Sequence, residues 1–244
     1  MNYLIVDIGN TNIKLGVFKN TKLLKKTIYN PQKEDELTTL FVNFPTINKI
    51  LFCGKNSKLK TQINNIIKHK DVKLIYWKNI NKNMIDFEYD ELNNLGFDRL
   101  GGSIGAKFLY PNYNNHLIID IGSCITYDLI LNQCYKGGQI SPGINLRLKS
   151  LTNFTNSLPN LQFSEPKNLL GNSTTDSIQS GVFFGTFDEI ISRIKFYKKA
   201  IPKLNVILTG GDSLYFKKTI KNVIFDDNLL MKGLNLLLDY NVKK

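Results

Sequence analysis

Short apolar runs that end in tight turns fill the first part of the chain. YLIVDIG is an apolar run closed by Asp-Gly, IKLGVF alternates through Ile13, Leu15 and Val17, and KLLKKTIY follows a second turn. Alternation with a period of two indicates half-buried strands, and short turns rich in Gly, Asn and Thr join antiparallel neighbours. This pattern predicts a three-stranded meander.

Helical spacing and buried strands follow the meander. LTTLFVNF predicts a helix and KILFCG a buried strand, whereas KLKTQINNIIKHK places Leu59, Ile63, Ile66 and Ile67 on one helical face. VKLIYW predicts a further strand, and DRLGGSIGAKFLY predicts a helix despite its glycines.

The same order of elements recurs in the second half of the chain. Strands are predicted at 116–121, 125–131 and 133–140, helices at 144–151 and 174–200, a strand in NVILTGGDS, and a closing helix in DDNLLMKGLNLLLDY. A repeated βββ-then-αβ order predicts an α/β protein built from two duplicated halves. We place these domains at 1–113 and 114–244.

The composition is that of a water-soluble globular protein. The chain has 244 residues, 42% of them hydrophobic and 21% charged, which suffices for one large core or two smaller ones. An apolar run of membrane-spanning length is absent, and the acidic turn near the N-terminus comes too early for a signal peptide. Cys53, Cys124 and Cys134 form no CxxC pair. We therefore expect a cytoplasmic protein with no membrane partner.

The net charge of +12 has two interpretations. A strongly basic surface is typical of proteins that bind nucleic acid or other anions. Here the lysines are dispersed among Asn and Ile residues rather than clustered, as is usual for the solvated surface of a soluble fold. We therefore expect no nucleic-acid partner.

Two acidic turns stand out in this pattern, VDIGNTNIKLGVF and the looser IDIGSCITYDLI. Backbone N–H groups and hydroxyls in such turns form an anion cradle, but an Asp beside a phosphate needs a cation between them. A single Asp-Gly turn is more often a structural cap. Two such turns, each closing a strand of a repeated unit, instead predict a nucleotide phosphate site to which Asp7 and Asp120 both contribute.

A third turn adds to this hypothesis. LTGGDS places Gly210 and Gly211 directly after a strand, where the backbone can approach a nucleobase or ribose closely. On its own a Gly-Gly turn is weak evidence. Together with the two acidic turns it is typical of a nucleotide-binding protein.

Several motifs, in order along nearly the whole chain, resemble those of type III pantothenate kinase, in the acetate kinase/Hsp70/actin-like superfamily. DIGNTNIKLG is similar to the family's D-x-G-N-T-x-x-K-x-G motif, LGFDR contains its G-x-D-R signature, and DIGSCITYD is similar to its second D-x-G motif. GGQISPG and GNSTTDSIQSG are similar to two further family motifs. The resemblance implies an actin-like ATPase fold of two ribonuclease H-like domains, each of βββαβα type.

The resemblance also implies an activity: ATP-dependent phosphorylation of pantothenate to 4'-phosphopantothenate, the first step of coenzyme A biosynthesis. Its implied cofactors are magnesium, carried with ATP, and a monovalent cation, potassium or ammonium. A homodimer is implied, with its contact in residues 144–200.

Site residues follow from the same resemblance, position by position. Asp98 is expected to be the catalytic general base, and Asp120 to be the ligand of the monovalent cation. The expected substrate-binding residues are Tyr89, Gly96, Phe97, Asp98, Arg99 and Thr174. The expected ATP-binding residues are Asp7, Ile8, Gly9, Asn10, Thr11, Asn12, Ile13, Lys14 and Ser123.

Chemistry supports the central pair independently. A primary alcohol is a poor nucleophile, so a carboxylate that accepts its proton assists phosphoryl transfer. An Arg fork binds a substrate carboxylate at two points, which suits Arg99. Taken as an isolated dipeptide, Asp98-Arg99 would be an ordinary surface ion pair or a helix cap.

The chain departs from the family pattern at a few places. Glu91 and Leu92 stand where Asn-Pro is usual, Gly102 replaces an Asn, and Ser123 replaces the commoner Thr. Two alternative functions stay open: a non-catalytic regulatory relative of the same fold, and a kinase of the same superfamily with another small-molecule substrate.

Overall fold

The computed structural model describes residues 1–33 and 35–242, which form two compact units. The first unit comprises Met1–Ile85, Glu91–Phe108 and Leu229–Lys244, and the second comprises Asp86–Asp90 and Leu109–Asn228. The chain therefore leaves the first unit and returns to it twice.

The first unit is built on a five-stranded mixed sheet. Its elements are β1 (Asn2–Ile8), β2 (Ile13–Lys19), β3 (Lys22–Tyr29), α1 (Asp35–Asn43), β4 (Ile47–Cys53), α2 (Ser57–Ile67), β5 (Lys73–Tyr76) and α3 (Phe97–Leu109). The strand order is β3-β2-β1-β4-β5, with the meander antiparallel and β4 and β5 parallel to β1. The apolar faces of α1 and α2 cover a core that includes Leu4, Leu15, Phe41, Leu59 and Ile63.

The last helix, α6 (Leu229–Val242), packs within the first unit. Glycines permit a backbone-to-backbone contact between α6 and α3, because a Cβ at Gly233 would lie 1.8 Å from the Gly101 carbonyl oxygen. Leu229, Leu234, Leu237 and Leu238 are fully buried. The contact fixes α3, whose first turn holds Asp98.

The second unit repeats this topology. Its elements are β6 (Asp86–Phe87), β7 (Asn115–Ile121), β8 (Cys124–Leu131), β9 (Cys134–Pro142), α4 (Ile144–Asn153), α5 (Thr174–Ala200), β10 (Leu204–Thr209) and β11 (Ile224–Phe225). The strand order is β11-β10-β7-β8-β9-β6. Without β6, this order matches that of the first unit strand for strand. A core that includes Ile119, Tyr127, Phe183, Ile190 and Phe216 fills the space between the sheet and its helices.

The structure confirms the α/β fold class and the duplicated order of elements. Each predicted strand and helix is present, with ends that differ by a few residues, as expected for segments that fray. The pairing of β6 with β9 was not predicted. The division at 113 and 114 stays a prediction about the limits of the two repeats, and α6 is a late segment that packs with the early unit.

Across the described residues, the structure contains no helix that is both long and apolar enough to span a membrane.

Candidate active site

The first acidic turn joins β1 to β2. Gly9 donates its backbone N–H to the Asn12 carbonyl oxygen at 3.1 Å, which closes a four-residue loop. The loop residues Gly9, Asn10, Thr11 and Asn12 are exposed, whereas Ile13 is buried in the core and Ile8 is half-buried. The loop therefore presents polar groups to solvent on an apolar base.

Asp7 and Lys14 face each other just below this loop, as register partners in the antiparallel β1–β2 ladder. Asp7 is 4% exposed. Burial raises the pKa of Asp7 to about 6, Lys14 and Lys26 oppose the rise, and the charge of Asp98 adds to it. A carboxylate held in this way is partly protonated near neutrality, and it gains from any cation that approaches it.

Asp98 lies in the first turn of α3, and its side chain is exposed. The Asp98 Oδ1 atom accepts the backbone N–H of Arg99 at 2.9 Å. A Cβ at position 96 would lie 2.3 Å from Oδ1, so Gly96 leaves room for this conformation of the Asp98 side chain. Negative charge is favourable at a helix N-terminus. The start of α3 thus holds a carboxylate whose charge acts on Asp7.

The neighbours of Asp98 are fixed by packing. The Phe97 ring meets the Trp77 ring edge-on, with centroids 6.1 Å apart. The Arg99 carbonyl accepts the hydroxyl of Ser103 at 2.8 Å one turn later. These contacts fix the start of α3 and therefore the direction of the Asp98–Arg99 pair.

The second acidic turn joins β7 to β8 in the second unit. Asp120 is the register partner of Thr126, so a hydroxyl residue stands where the first unit has Lys14. The loop is closed by a hydrogen bond from the Gly122 N–H to the Cys124 carbonyl at 3.0 Å. Ser123 is half-buried. The two turns are thus equivalent in topology and different in charge.

Gly210 lies against the second acidic turn. Its φ of +93° belongs to the left-handed region that glycine alone adopts readily. The space that a Cβ there would occupy lies 2.3 Å from both Asp120 Oδ1 and the Ile121 carbonyl oxygen. Gly54 has the same conformation at the equivalent position of the first unit, with φ +96°. The Gly210 backbone therefore packs directly against Asp120 and Ile121, with no space for a side chain.

Tyr89 belongs to the second unit, because the short strand β6 joins the edge of that sheet. Its ring meets Tyr135 edge-on at 5.6 Å. Tyr135 is fully buried and donates its hydroxyl to Asp128 Oδ1 at 2.8 Å. The aromatic pair anchors Tyr89 on β9, within the GGQISPG motif's own strand.

Thr174 is the first residue of α5 and is exposed. Ser173 caps the helix by accepting the Asp176 N–H at 3.1 Å. Thr174 lines a cleft of about 660 Å³ with Arg147 of α4 and Ile178 of α5.

The predicted residues therefore fall into two groups, one in each unit. The first-unit group contains Asp7, Ile8, Gly9, Asn10, Thr11, Asn12, Ile13, Lys14, Gly96, Phe97, Asp98 and Arg99. The second-unit group contains Tyr89, Asp120, Ser123 and Thr174, with Gly210 and Gly211. Within the first group, Lys14 and Asp98 both act electrostatically on Asp7, with opposite signs.

Sequence reasoning missed two contributors. Lys26 acts on Asp7 from β3, and Gly54 is the equivalent of Gly210. The internal repeat was the signal that would have found Gly54, because KILFCG and NVILTGG occupy the same place in the two halves.

The sequence matches the model of the type III pantothenate kinase family over residues 3–195. A type III pantothenate kinase from Christiangramia forsetii is 38% identical over 241 residues, which cover 98% of each chain.

Two solved structures show a similar fold over the whole length. A Campylobacter jejuni protein described as a Baf family transcriptional activator is 26% identical, with a TM-score of 0.60 and coverage of 99% of this chain and 100% of that one. Lmo2764 of Listeria monocytogenes, described as an N-acetylmannosamine kinase, is 11% identical, with a TM-score of 0.55 and coverage of 98% and 99%. The second likeness concerns the fold alone.

Proposed function

Because the chain belongs to the type III pantothenate kinase family, which phosphorylates pantothenate with ATP in coenzyme A biosynthesis, we propose how its own residues perform that reaction. Family membership also decides among the three functions left open by the sequence, in favour of the pantothenate kinase. The fold is the actin-like one that sugar kinases share.

Asp98 is the general base in this proposal. The observation that carries it is the electrostatic link between Asp98 and Asp7, since the charge of Asp98 raises the pKa of Asp7. A carboxylate at the start of α3 therefore lies within range of the loop that we assign to the ATP phosphates. There it accepts the proton of the attacking pantothenate hydroxyl as the phosphoryl group is transferred.

Substrate binding follows from the same segment. Arg99, held directly beside the base, binds the pantothenate carboxylate with its guanidinium fork. Gly96 gives the Asp98 carboxylate its room, and Phe97 anchors the turn through Trp77. Tyr89 and Thr174, both in the second unit, contact the remainder of the substrate.

Phosphate binding belongs to the exposed loop between β1 and β2. Ile8 and Ile13 pair at its base, and Gly9 and Asn12 close it. The polar groups of Asn10 and Thr11, together with the ammonium of Lys14, bind the phosphate oxygens. Ser123 of the second turn supplies a further hydroxyl to ATP.

The donor atoms fit both expected cations. The buried Asp7 carboxylate has a raised pKa, which a Mg²⁺ ion would offset, and Mg²⁺ prefers oxygen ligands. The Asp120 carboxylate, which packs against the Gly210 backbone, is the oxygen ligand that we assign to the monovalent cation. When bound, these ions neutralise charge that develops on the phosphates.

A homodimer contact in residues 144–200 is part of the proposal. Large apolar side chains of this region are solvent-exposed in the single chain, among them Leu146, Phe154, Leu169 and Leu170. Leu169 and Leu170 are adjacent in the chain, and adjacent exposed apolar side chains support an interface there. The cytoplasmic location stays a prediction.

One coupled assay tests the proposed roles. Purified protein should phosphorylate pantothenate in the presence of ATP, Mg²⁺ and K⁺, and Asp98→Asn should lower kcat by about 10²–10⁴-fold. ATP binding should change far less, because Asp98 contacts the alcohol rather than the nucleotide. Asp71→Asn, which removes an exposed carboxylate of the same unit, serves as the matched control. Equal activity of Asp98→Asn and wild type would exclude Asp98 as the base.

A further inference from the structure

Glu189 of α5 joins four elements of the second unit. Its Oε1 atom accepts hydrogen bonds from the Tyr127 hydroxyl of β8 at 2.8 Å and from the Ser141 hydroxyl of β9 at 2.6 Å. Its Oε2 atom forms a hydrogen-bonded ion pair with Arg147 of α4. No sequence motif discussed above contains Glu189.

The environment keeps Glu189 ionised. Burial, the largest single effect, raises the pKa of Glu189, but hydrogen bonds from Ser141, Arg147 and Tyr127 together outweigh it, so the pKa lies below the usual value. Both partners of the ion pair are mostly covered, with about a fifth of each side chain exposed, 23% for Arg147 and 21% for Glu189. Removing one partner of such a pair leaves the other buried without compensation.

Arg147 extends the network to the connection between β9 and α4. Its Nε atom donates to the Pro142 carbonyl oxygen at 2.8 Å. Ser141 and Pro142 are thus both held, one by Glu189 directly and the other through Arg147. The connection cannot shift without breaking at least one of these contacts.

This connection in turn supports the second acidic turn. The Gly143 N–H donates to the Ser123 carbonyl at 3.0 Å, and Pro142 is the register partner of Cys124. A Cβ at Gly143 would lie 2.0 Å from the Gly122 carbonyl oxygen, which leaves no space between the two segments. The backbone position of Gly122 and Ser123 therefore depends on the connection that Glu189 holds.

We propose that Glu189 is a positioning residue for ATP, which fixes the Ser123 turn through Ser141, Arg147 and the Pro142–Gly143 connection. The inference rests on the proposed contact between Ser123 and ATP. It predicts that Glu189, which does not itself contact ATP, controls the affinity for ATP through the position of the Ser123 turn. The proposed pantothenate contacts of Asp98 and Arg99 lie in the first unit, and only Thr174 shares a cleft with Arg147, so pantothenate binding should change far less than ATP binding.

The test compares Glu189→Gln with Asp188→Asn. Glu189→Gln keeps the side-chain shape but removes the charge that pairs with Arg147, whereas Asp188→Asn removes an exposed charge from the preceding position of α5. Glu189→Gln should raise the KM for ATP by about five- to tenfold, as expected for weakening of one or two hydrogen bonds to a charged group. The KM for pantothenate and kcat should stay within about twofold of wild type.

A merely structural role would give another result. The melting temperature would fall, but both KM values measured well below the transition would equal those of wild type, and this would overturn the proposal. An equal rise in the KM for ATP with Asp188→Asn would also overturn the proposal, since loss of any negative charge on α5 would then explain the effect.

Ser141→Ala keeps the test decisive if Glu189→Gln does not fold. It removes one hydrogen bond and leaves the ion pair, so the KM for ATP should rise by about two- to fivefold. An unchanged KM for ATP in a folded Ser141→Ala protein would contradict the inference. The proposed function fails separately, through absence of wild-type pantothenate phosphorylation or through an Asp98→Asn variant as active as wild type.

Discussion

Asp7 lies directly opposite Lys14 in the β1–β2 ladder, and its counterpart in the repeat, Asp120, lies opposite Thr126. The two carboxylates occupy equivalent places in the two sheets, and the residue directly opposite is a lysine in one and a threonine in the other. The repeated topology therefore places residues of different charge opposite two equivalent carboxylates.

Replacement of Asp7 should increase the stability of the protein and decrease its kinase activity. The pKa of Asp7 in the folded state, about 6, lies above its ordinary value of 3.8. Protonation therefore favours the folded state, and the free energy of unfolding falls as the pH rises from about 4 to above 6. Asp7→Asn should raise the free energy of unfolding at pH 8 by about 1–3 kcal/mol and should abolish most kinase activity.

Urea denaturation at pH 4 and pH 8 checks this prediction. The gain should be much smaller at pH 4, where Asp7 is protonated in the folded state and about half protonated in the unfolded chain. Asp71→Asn, an exposed carboxylate in the same unit, should show no comparable gain at either pH. A less stable Asp7→Asn protein at pH 8 would contradict the raised pKa.

The charge of Asp98 should be visible in nucleotide binding. If the Mg²⁺ ion carried by ATP is bound by ionised Asp7, affinity rises with pH through the pKa of Asp7, near 6. Asp98→Asn removes a negative charge that raises this pKa, so the midpoint should move to lower pH. Calorimetric titration of Mg·ATP from pH 5 to 8 measures both midpoints.

ATP itself titrates in the same range, and therefore the difference between variants is the measured quantity. Identical midpoints for wild type and Asp98→Asn would show that Asp98 does not act on Asp7.

The contact between α3 and α6 should tolerate no side chain. A Cβ at Gly233 would overlap the Gly101 carbonyl oxygen, at 1.8 Å, so Gly233→Ala must separate the helices. We expect a loss of about 2–4 kcal/mol in the free energy of unfolding and a lower kcat, because α3 carries Asp98. Thermal and denaturant unfolding measure the loss of stability, and the coupled assay measures kcat.

Gly185→Ala is the matched control for this substitution. A Cβ at this position of α5 would meet no atom within 4 Å. Ala is a better helix former than Gly, so stability should stay unchanged or rise by up to about 1 kcal/mol. A similar loss in both variants would mean that close packing of α3 and α6 is not the cause.

Asp120 should govern the response to potassium. Asp120→Asn removes the negative charge of the proposed cation ligand, so the K⁺ concentration for half-maximal activity should rise by about tenfold or more. The control is Asp188→Asn, which changes the net charge equally. Unaltered K⁺ activation in Asp120→Asn would assign the monovalent cation to other ligands.

A charge in the exposed apolar region should disrupt self-association. Leu170 is 88% exposed in the single chain. Leu170→Glu should convert a dimer to a monomer in light-scattering measurements, whereas Val42→Glu, a substitution at an exposed apolar position of the first unit, should not. A wild-type monomer, or a Leu170→Glu dimer, would refute the proposed interface.

Local patterns explain why so much of the fold could be predicted. Apolar residues recur at every second position in the strand IKLGVF and at helical spacing in KLKTQINNIIKHK. Both elements form as predicted. The turns at Asp7 and Asp120 could also be predicted, because each turn is formed by consecutive residues of the chain.

The remainder depended on contacts between distant segments. Two residues, Asp86 and Phe87, are too few to show a strand period, and their pairing with β9 is decided by the edge that β9 offers. Glu189 lies in a long helix among other polar residues, and nothing in its neighbourhood indicates that Tyr127, Ser141 and Arg147 converge on it. Such convergence is a property of the tertiary structure alone.

The position of α6 has a consequence for biosynthesis. Residues 1–85 leave the ribosome first, yet the helix that completes their core is made after the whole second unit. Apolar surface around Gly16 and Gly101 that α6 covers in the finished protein is therefore uncovered while the second unit is being synthesised. The first unit therefore cannot complete its packing until α6 has been made, and we expect chaperone contacts during translation on the surface that α6 covers.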